Sequence, residues 1–148
     1  MPQLTKEELS TFLPHAGAMR LIDQVEWWDD RTIQCRTQSH HDLTNPLRHG
    51  TRLEAVTGLE YAAQAMGVHV GLLSRTRSTE GLIGYVGGLR DVVLEVDRLD
   101  ECPAELKINA TRVFEGDSSF MYQFSISSGD QAVMTGRASL FLKDEIEN

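Results

Sequence analysis

The sequence predicts an α+β domain in which one long buried helix is wrapped by an antiparallel sheet. Three observations carry this reading. The stretch 54–74 is apolar enough, and long enough, for about 30 Å of largely buried helix. Short runs with apolar residues at every second position lie on both sides of it. Glu115-Gly116-Asp117 and Gly129-Asp130 supply tight turns between the last runs, and short links favour antiparallel neighbours. At 148 residues the chain has the usual length of one domain. Residues 1–148 read as a single domain, with no repeat, low-complexity tract or linker.

Thr5-x-x-Glu8 is a capping box, and Leu9, Phe12 and Leu13 give the short helix behind it one apolar face. Pro14 ends that helix, because proline disfavours helical geometry in the residue before it. From Met19 the period becomes two. Met19, Leu21, Val25 and Trp27 share a face, with Asp23 as the exception. Asp29-Asp30 turns the chain, and Ile33, Cys35 and Thr37 alternate with Gln34, Arg36 and Gln38, which predicts a strand pair. A polar loop over 40–50 holds Asn45-Pro46 and leads into the helix at 54–74. Only Glu54, Glu60, Gln64 and His69 interrupt its apolar character.

The rest reads as β. Val92, Leu94 and Val96 share one face, as do Leu106, Ile108 and Ala110. The same holds for Phe120, Tyr122, Phe124 and Ile126, then for Met134, Gly136, Ala138, Leu140 and Leu142. Gly87-Gly88 predicts a strand distortion or a close approach of backbones rather than a phosphate cradle. Residues 144–148 are expected to fray. A sheet that buries this helix must curl around it, and that architecture is the hotdog fold. Its open edge calls for a second subunit to cover it.

Composition narrows the function. A net charge of −8 speaks against general nucleic-acid binding. An acidic partner would need a local patch, such as Arg48 with Arg52 or Arg75 with Arg77, and solvated surface arginines are the ordinary reading of both pairs. Cys35 and Cys102 are too few for a disulfide framework and are expected to be free thiols. No charged start followed by an apolar run resembles a signal peptide, and the polar interruptions make 54–74 a poor membrane span. A cytoplasmic location without membrane association is the expectation, and there the sequon Asn109-Ala110-Thr111 carries no meaning. His40, His41, His49 and Asp42 lack metal-ligand spacing, and no Gly-x-Ser-x-Gly, P-loop or dinucleotide fingerprint occurs. No metal or redox cofactor is therefore expected.

One polar residue stands out. Glu60 has Val56, Thr57, Ala63, Gln64 and Gly67 as its helical neighbours, a small and mostly apolar face. Burial there favours the protonated carboxyl, the form a general acid needs. The plainer reading is a glutamate that reaches solvent or pairs with an arginine. Gln64 lies one turn on and either orients that carboxyl or is simply a satisfied buried amide. Of the five histidines, His69 lies about half a circle around the helix from Glu60, and His15, after Leu13-Pro14, reads as structural. His40, His41 and His49 sit in the loop that feeds the helix.

Leu13-Pro14-His15 followed by RLIDQV (20–25), and NPLRHGTRLEAVTGLEYAAQ (45–64), resemble the β-hydroxyacyl-acyl-carrier-protein dehydratases. The closest likeness is to the branch associated with aryl-polyene and related polyketide pathways. The resemblance follows the order of elements over most of the chain. It is specific around 13–25 and 45–67. It implies Glu60 as the acid, within GLEYAAQA (58–65), and Gln64 as its companion. The family's His-Phe-Pro-Gly is absent, so the base is His40 or His49. His40 is favoured, because a strand end is held more rigidly than a loop tip. The implied substrate is a 3-hydroxyacyl thioester on the phosphopantetheine of an acyl carrier protein. The histidine removes the α-proton and Glu60 protonates the departing hydroxyl. Backbone N–H groups around Ala55 and Val56 receive the thioester oxygen. Gln64, Ala55, Val56 and Asn45 are then the expected substrate-binding positions. The resemblance further implies a homodimer, or a heterodimer with a related hotdog subunit, with acid and base from opposite subunits. A hotdog acyl-thioesterase and a non-catalytic partner subunit are the competing readings.

Overall fold

The computed structural model describes residues 3–4, 6–9, 19–76 and 82–144. Helix α1 is Lys6–Leu9, and α2 is Gly58–Thr76. The strands are β1 Gln24–Trp28, β2 Thr32–Thr37, β3 Leu82–Leu94, β4 Leu106–Glu115, β5 Ser119–Ser128 and β6 Gln131–Asp144. They form one six-stranded sheet in the order β1-β2-β4-β5-β6-β3, and every neighbouring pair is antiparallel. Helix α2 packs against β2, β3, β4 and β5. This is the hotdog fold.

The alternation read from the sequence is what lets the sheet do this. Ile33, Cys35 and Thr37, then Leu106, Ile108 and Ala110, then Phe120, Tyr122, Phe124 and Ile126 are all buried, as are Met134, Ala138 and Leu140. All but Thr37 meet Tyr61, Ala62, Ala65, Met66, Val68 and Leu72 of α2 in one apolar core. Gly129, at φ +60, makes the turn between β5 and β6 in a conformation that suits glycine. Cys35 and Cys102 are both buried free thiols, and burial pushes the Cys35 thiol up to about 12.

Three expectations need correction. On β1, Trp28 is buried at 9% exposure and Trp27 is 37% exposed, the reverse of the simple alternation. A register shift between Val25 and Trp27 inserts one residue and flips the face of the residues beyond it. The helix starts later than 54. Leu99 N donates to Leu53 O and Ala55 N donates to Asp97 O, so residues 53–55 are tied to the 97–99 segment, with Glu54 extended at ψ 146°. A 3₁₀ turn, Ala55–Thr57, then leads into α2. Val92 on β3 and Val96 just past its end pack on the core, but Leu94 is 44% exposed. The strand is an edge strand, and a second shift between Arg90 and Val93, with Asp91 at φ 53°, changes its facing. The expected distortion at Gly87-Gly88 is present as a shift between Val86 and Gly88. Thr5, Phe12, Leu13, Pro14, His15, Arg77, 145–148 and the Leu142 side chain lie outside the described residues. Among the described residues no helix is long and apolar enough to cross a membrane.

Candidate active site

The later helix start puts Glu60 in the first turn of α2. Its side chain is half-buried rather than sealed in the core. Gln64, one turn on and 3% exposed, donates from Nε2 to Glu60 Oε1 at 3.3 Å and to Met19 O at 2.8 Å. Its Oε1 accepts the Leu21 N–H at 2.9 Å. Both readings of Gln64 therefore hold together. The amide is satisfied by the backbone leading into β1, and because it is fixed there, it holds the Glu60 carboxyl from one side.

His40 lies just past the end of β2, in a short 3₁₀ turn, Ser39–His41, and is fully buried. Its Nε2 lies 3.1 Å from Cys102 O and 3.0 Å from Ala104 O. Carbonyl oxygens only accept, so Nε2 carries the proton and Nδ1 carries the lone pair. That Nδ1 is buried and has no hydrogen-bond partner among the described residues. The His41 ring lies over His40 with centroids 3.8 Å apart, and its Nε2 also reaches Cys102 O, at 2.7 Å. Burial, followed by the neighbouring His41 charge, pushes His40 down to about 4 from an ordinary 6.5, with Arg48 adding to the effect. The two carbonyl contacts act the other way. His40 is thus neutral near pH 7, with one bare basic nitrogen.

A polar network joins the histidine turn to the helix beside Glu60. Ser39 Oγ donates to Leu21 O at 2.7 Å and pairs with Tyr61 OH at 2.9 Å. Leu21 is the residue whose N–H Gln64 accepts, and Tyr61 follows Glu60 in the helix. Acid and base candidates so stand on two elements pinned to the same lead-in strand. These links were not visible as sequence spacing, because the partners lie tens of residues apart.

Other expected site residues fall elsewhere. His49 is exposed and sits in a tight backbone turn with Arg52, through Gly50 at φ +65. Asn45 is buried and spends its amide on the chain: Nδ2 donates to Ser39 O at 2.9 Å and Tyr61 OH at 3.2 Å, and Oδ1 accepts the Leu47 N–H at 2.9 Å. In this chain it braces the loop. Ala55 is removed from the candidate oxyanion donors because its N–H bonds Asp97 O at 3.0 Å, which leaves Val56, 53% exposed, from that pair. His69, in the core, lies 2.5 Å from Tyr122 OH and 2.7 Å from Asp29 O, far along α2 from Glu60. Among the described residues no cluster of three or more histidine, cysteine or acidic side chains is placed to hold a metal ion. Arg48, read from sequence as a solvated surface residue, instead bonds backbone carbonyls of the loop.

Comparison with known proteins bears on this arrangement. The family model described as ApeP dehydratase matches residues 7–148. Among solved structures, the dehydratase heterocomplex ApeI:P from Xenorhabdus doucetiae superposes with a TM-score of 0.82 at 23% identity, covering 94% of this chain and 93% of that one. A mutant of thioesterase PA1618 from Pseudomonas aeruginosa gives a TM-score of 0.67 at 12% identity, covering 95% of each chain. A hypothetical thioesterase with coenzyme A from Streptococcus pneumoniae gives 0.60 at 16% identity, covering 81% of this chain and 84% of that one. At these identities the structural likenesses show the shared fold. No curated protein matches the sequence.

Proposed function

The chain belongs to the ApeP-like dehydratase family, and on that premise we propose that it removes water from a 3-hydroxyacyl thioester, carried on the phosphopantetheine of an acyl carrier protein, to give the 2-enoyl thioester. The observation that carries the assignment of roles is the bare, buried Nδ1 of a neutral His40. In the proposed reaction Nδ1 takes the α-proton. The Glu60 carboxylic acid, steadied by Gln64, gives a proton to the departing hydroxyl, and the C–O electron pair leaves as water. The proton on His40 then returns Glu60 to its acid form through solvent. With Ala55 engaged elsewhere, the Val56 amide at the helix entrance is the remaining candidate of that pair to receive the thioester oxygen. No step calls on a redox cofactor.

A pairing of hotdog subunits completes the proposal. The Xenorhabdus relative is a dehydratase heterocomplex, ApeI:P. For the present chain, a related subunit or a second copy of itself supplies the cover that the exposed β3 edge lacks. A second reading has its own support. Complete burial of His40 within one chain suits a subunit that lends its fold to a partner and leaves the chemistry there.

The test is Glu60→Gln, assayed for enoyl formation from a 3-hydroxyacyl thioester, alone and with a related hotdog subunit. Gln keeps the volume and cannot donate an acid proton, so a loss of roughly 10²–10⁴ in rate is expected with the fold intact. Full activity in Glu60→Gln would refute the acid. Absence of dehydration by wild type in either setting would favour the non-catalytic subunit, and release of free thiol would favour a thioesterase.

A further inference from the structure

We infer that Arg48 is a positioning residue for the His40 base, its guanidinium binding the carbonyls of His40, Asp42 and Thr51 and so fixing the turn on which the imidazole stands. The inference rests on the proposed role of His40. Arg48 Nη2 donates to His40 O, Nε to Asp42 O and Nη1 to Thr51 O, each at 2.8 Å. The stretch 38–48, after β2, has no ladder to another strand among the described residues. It is a series of single turns, with His41 N on Gln38 O, Asp42 N on Ser39 O, Asn45 N on Asp42 O and Arg48 N on Asn45 O. The carbonyls of His40 and Asp42, from the first of these turns, and of Thr51, from the His49–Arg52 turn that follows, converge on one side chain. Only a planar fork of donors meets that geometry; a lysine ammonium is a point donor at the end of a flexible stem. Pulling on the His40 carbonyl at one end, while Cys102 and Ala104 hold Nε2 at the other, leaves the ring one orientation.

The fork also carries charge to a place where charge matters. His41 faces the His40 ring, and Arg48 grips its carbonyl. From the 102–104 segment come Cys102, with its thiol pushed up by burial and so neutral, and the uncharged Ala104. From α2 comes Tyr61, whose hydroxyl is likewise pushed up by burial. Among the carboxylates around this turn, Asp42 Oδ1 accepts the Thr44 N–H and hydroxyl and Asp23 Oδ2 accepts the Gln38 N–H, while Glu101 and Glu105, which flank the 102–104 segment, pair with Arg98 and Arg36. Burial is the main reason Nδ1 stays unprotonated, and the Arg48 guanidinium adds to it.

The experiment compares Arg48→Met and Arg48→Lys with wild type in two readouts. One is NMR titration of ¹⁵N-histidine rings, with His40→Gln to assign the signal; the other is the pH profile of kcat and KM. Arg48→Met should raise the His40 midpoint only modestly above about 4, because burial remains its main cause, and lower kcat roughly 10- to 100-fold, the scale for displacing a catalytic group, with KM within about twofold. Arg48→Lys keeps the charge and loses the fork. Its midpoint should stay near that of wild type while its kcat falls comparably. An unchanged midpoint in folded Arg48→Met overturns the inference, as does a kcat in Arg48→Lys within twofold of wild type. If Arg48→Met does not fold, the Lys variant decides alone. Failure of the underlying reading looks different: His40→Ala would keep full activity, while the ring titration would still report whether Arg48 governs His40.

Discussion

Two carbonyls, those of Cys102 and Ala104, hold Nε2 of His40 and leave Nδ1 as the nitrogen of the proposed base. Burial makes the ring resist protonation against the pull of those two carbonyls, and this has two measurable consequences. His40→Ala should cost on the order of 10²–10⁴ in dehydration rate, while His49→Ala, on an exposed turn, should stay within about twofold of wild type. The reverse pattern would transfer the base to His49. The second consequence is for stability. Burial lowers the pKa of both His40 and His69. The unfolded chain takes up these protons near pH 6.5, and the folded chain resists until lower pH, about 4 for His40. Their contribution is thus complete above pH 6.5 and is lost as the pH falls from there. Urea unfolding should show a loss of about 2 kcal/mol from His40 between about pH 7 and 5. A stability that stays flat over that interval in wild type, matching a His40→Gln variant, would contradict the buried neutral ring.

At the scale of elements, close packing and backbone freedom separate the glycines. A Cβ at Gly136 on β6 would lie 2.7 Å from Phe124 Cζ and 3.2 Å from Val92 Cγ2. Phe124 is buried, so its ring has little room to yield. Gly136→Ala should therefore destabilise by roughly 1–3 kcal/mol, the usual cost of overpacking. Gly67, in the middle of α2, has nothing within 4 Å of a built Cβ. Gly67→Ala should stabilise by about 1 kcal/mol through helix propensity. Thermal melts of the two variants, moving in opposite directions, check the packing of the sheet on the helix. A loss in Gly67→Ala would mean that this stretch of α2 packs against another subunit. The strand shifts at Val25/Trp27, Val86/Gly88 and Arg90/Val93 act at the same scale. Each re-aims the side chains beyond it, which is how a single sheet bends around α2.

For the whole molecule the decisive feature is asymmetry between the two sheet edges. β1 is five residues long, and Leu4 bridges to Val25 on its outer side. β3 is thirteen residues long and exposes Val86, Leu89, Val93 and Leu94. A long apolar edge with free N–H and C=O groups favours pairing with another subunit. Light scattering at micromolar concentration should show a dimer, of this chain alone or with a related hotdog subunit. A Leu89→Lys, Val93→Lys double variant should weaken it by placing charge in the apolar strip. A stable monomer, in the presence of the related subunit as well, would remove the basis for a site shared between subunits.

Periodicity alone determined much of this protein. The inward faces of β2, β4, β5 and β6, the turns between the last three strands and the buried helix were all legible, because alternation and helical spacing are local and burial follows from them directly. So were Glu60 and Gln64, one turn apart on one helix face, and the two free thiols. Trp27 and Trp28 changed places because a bulge depends on the partner strand, which the alternation of β1 does not record. The helix began at Gly58 because Leu53 and Ala55 pair with a segment more than forty residues away. The tying of the Ala55 N–H to Asp97, the engagement of the Asn45 amide within the loop and the gain of Arg48 share one cause. Each depends on where backbone carbonyls and amides end up, and every residue but proline offers the same pair of groups. Side-chain type is written in the sequence, but the partner of a backbone carbonyl is fixed only when the chain closes on itself.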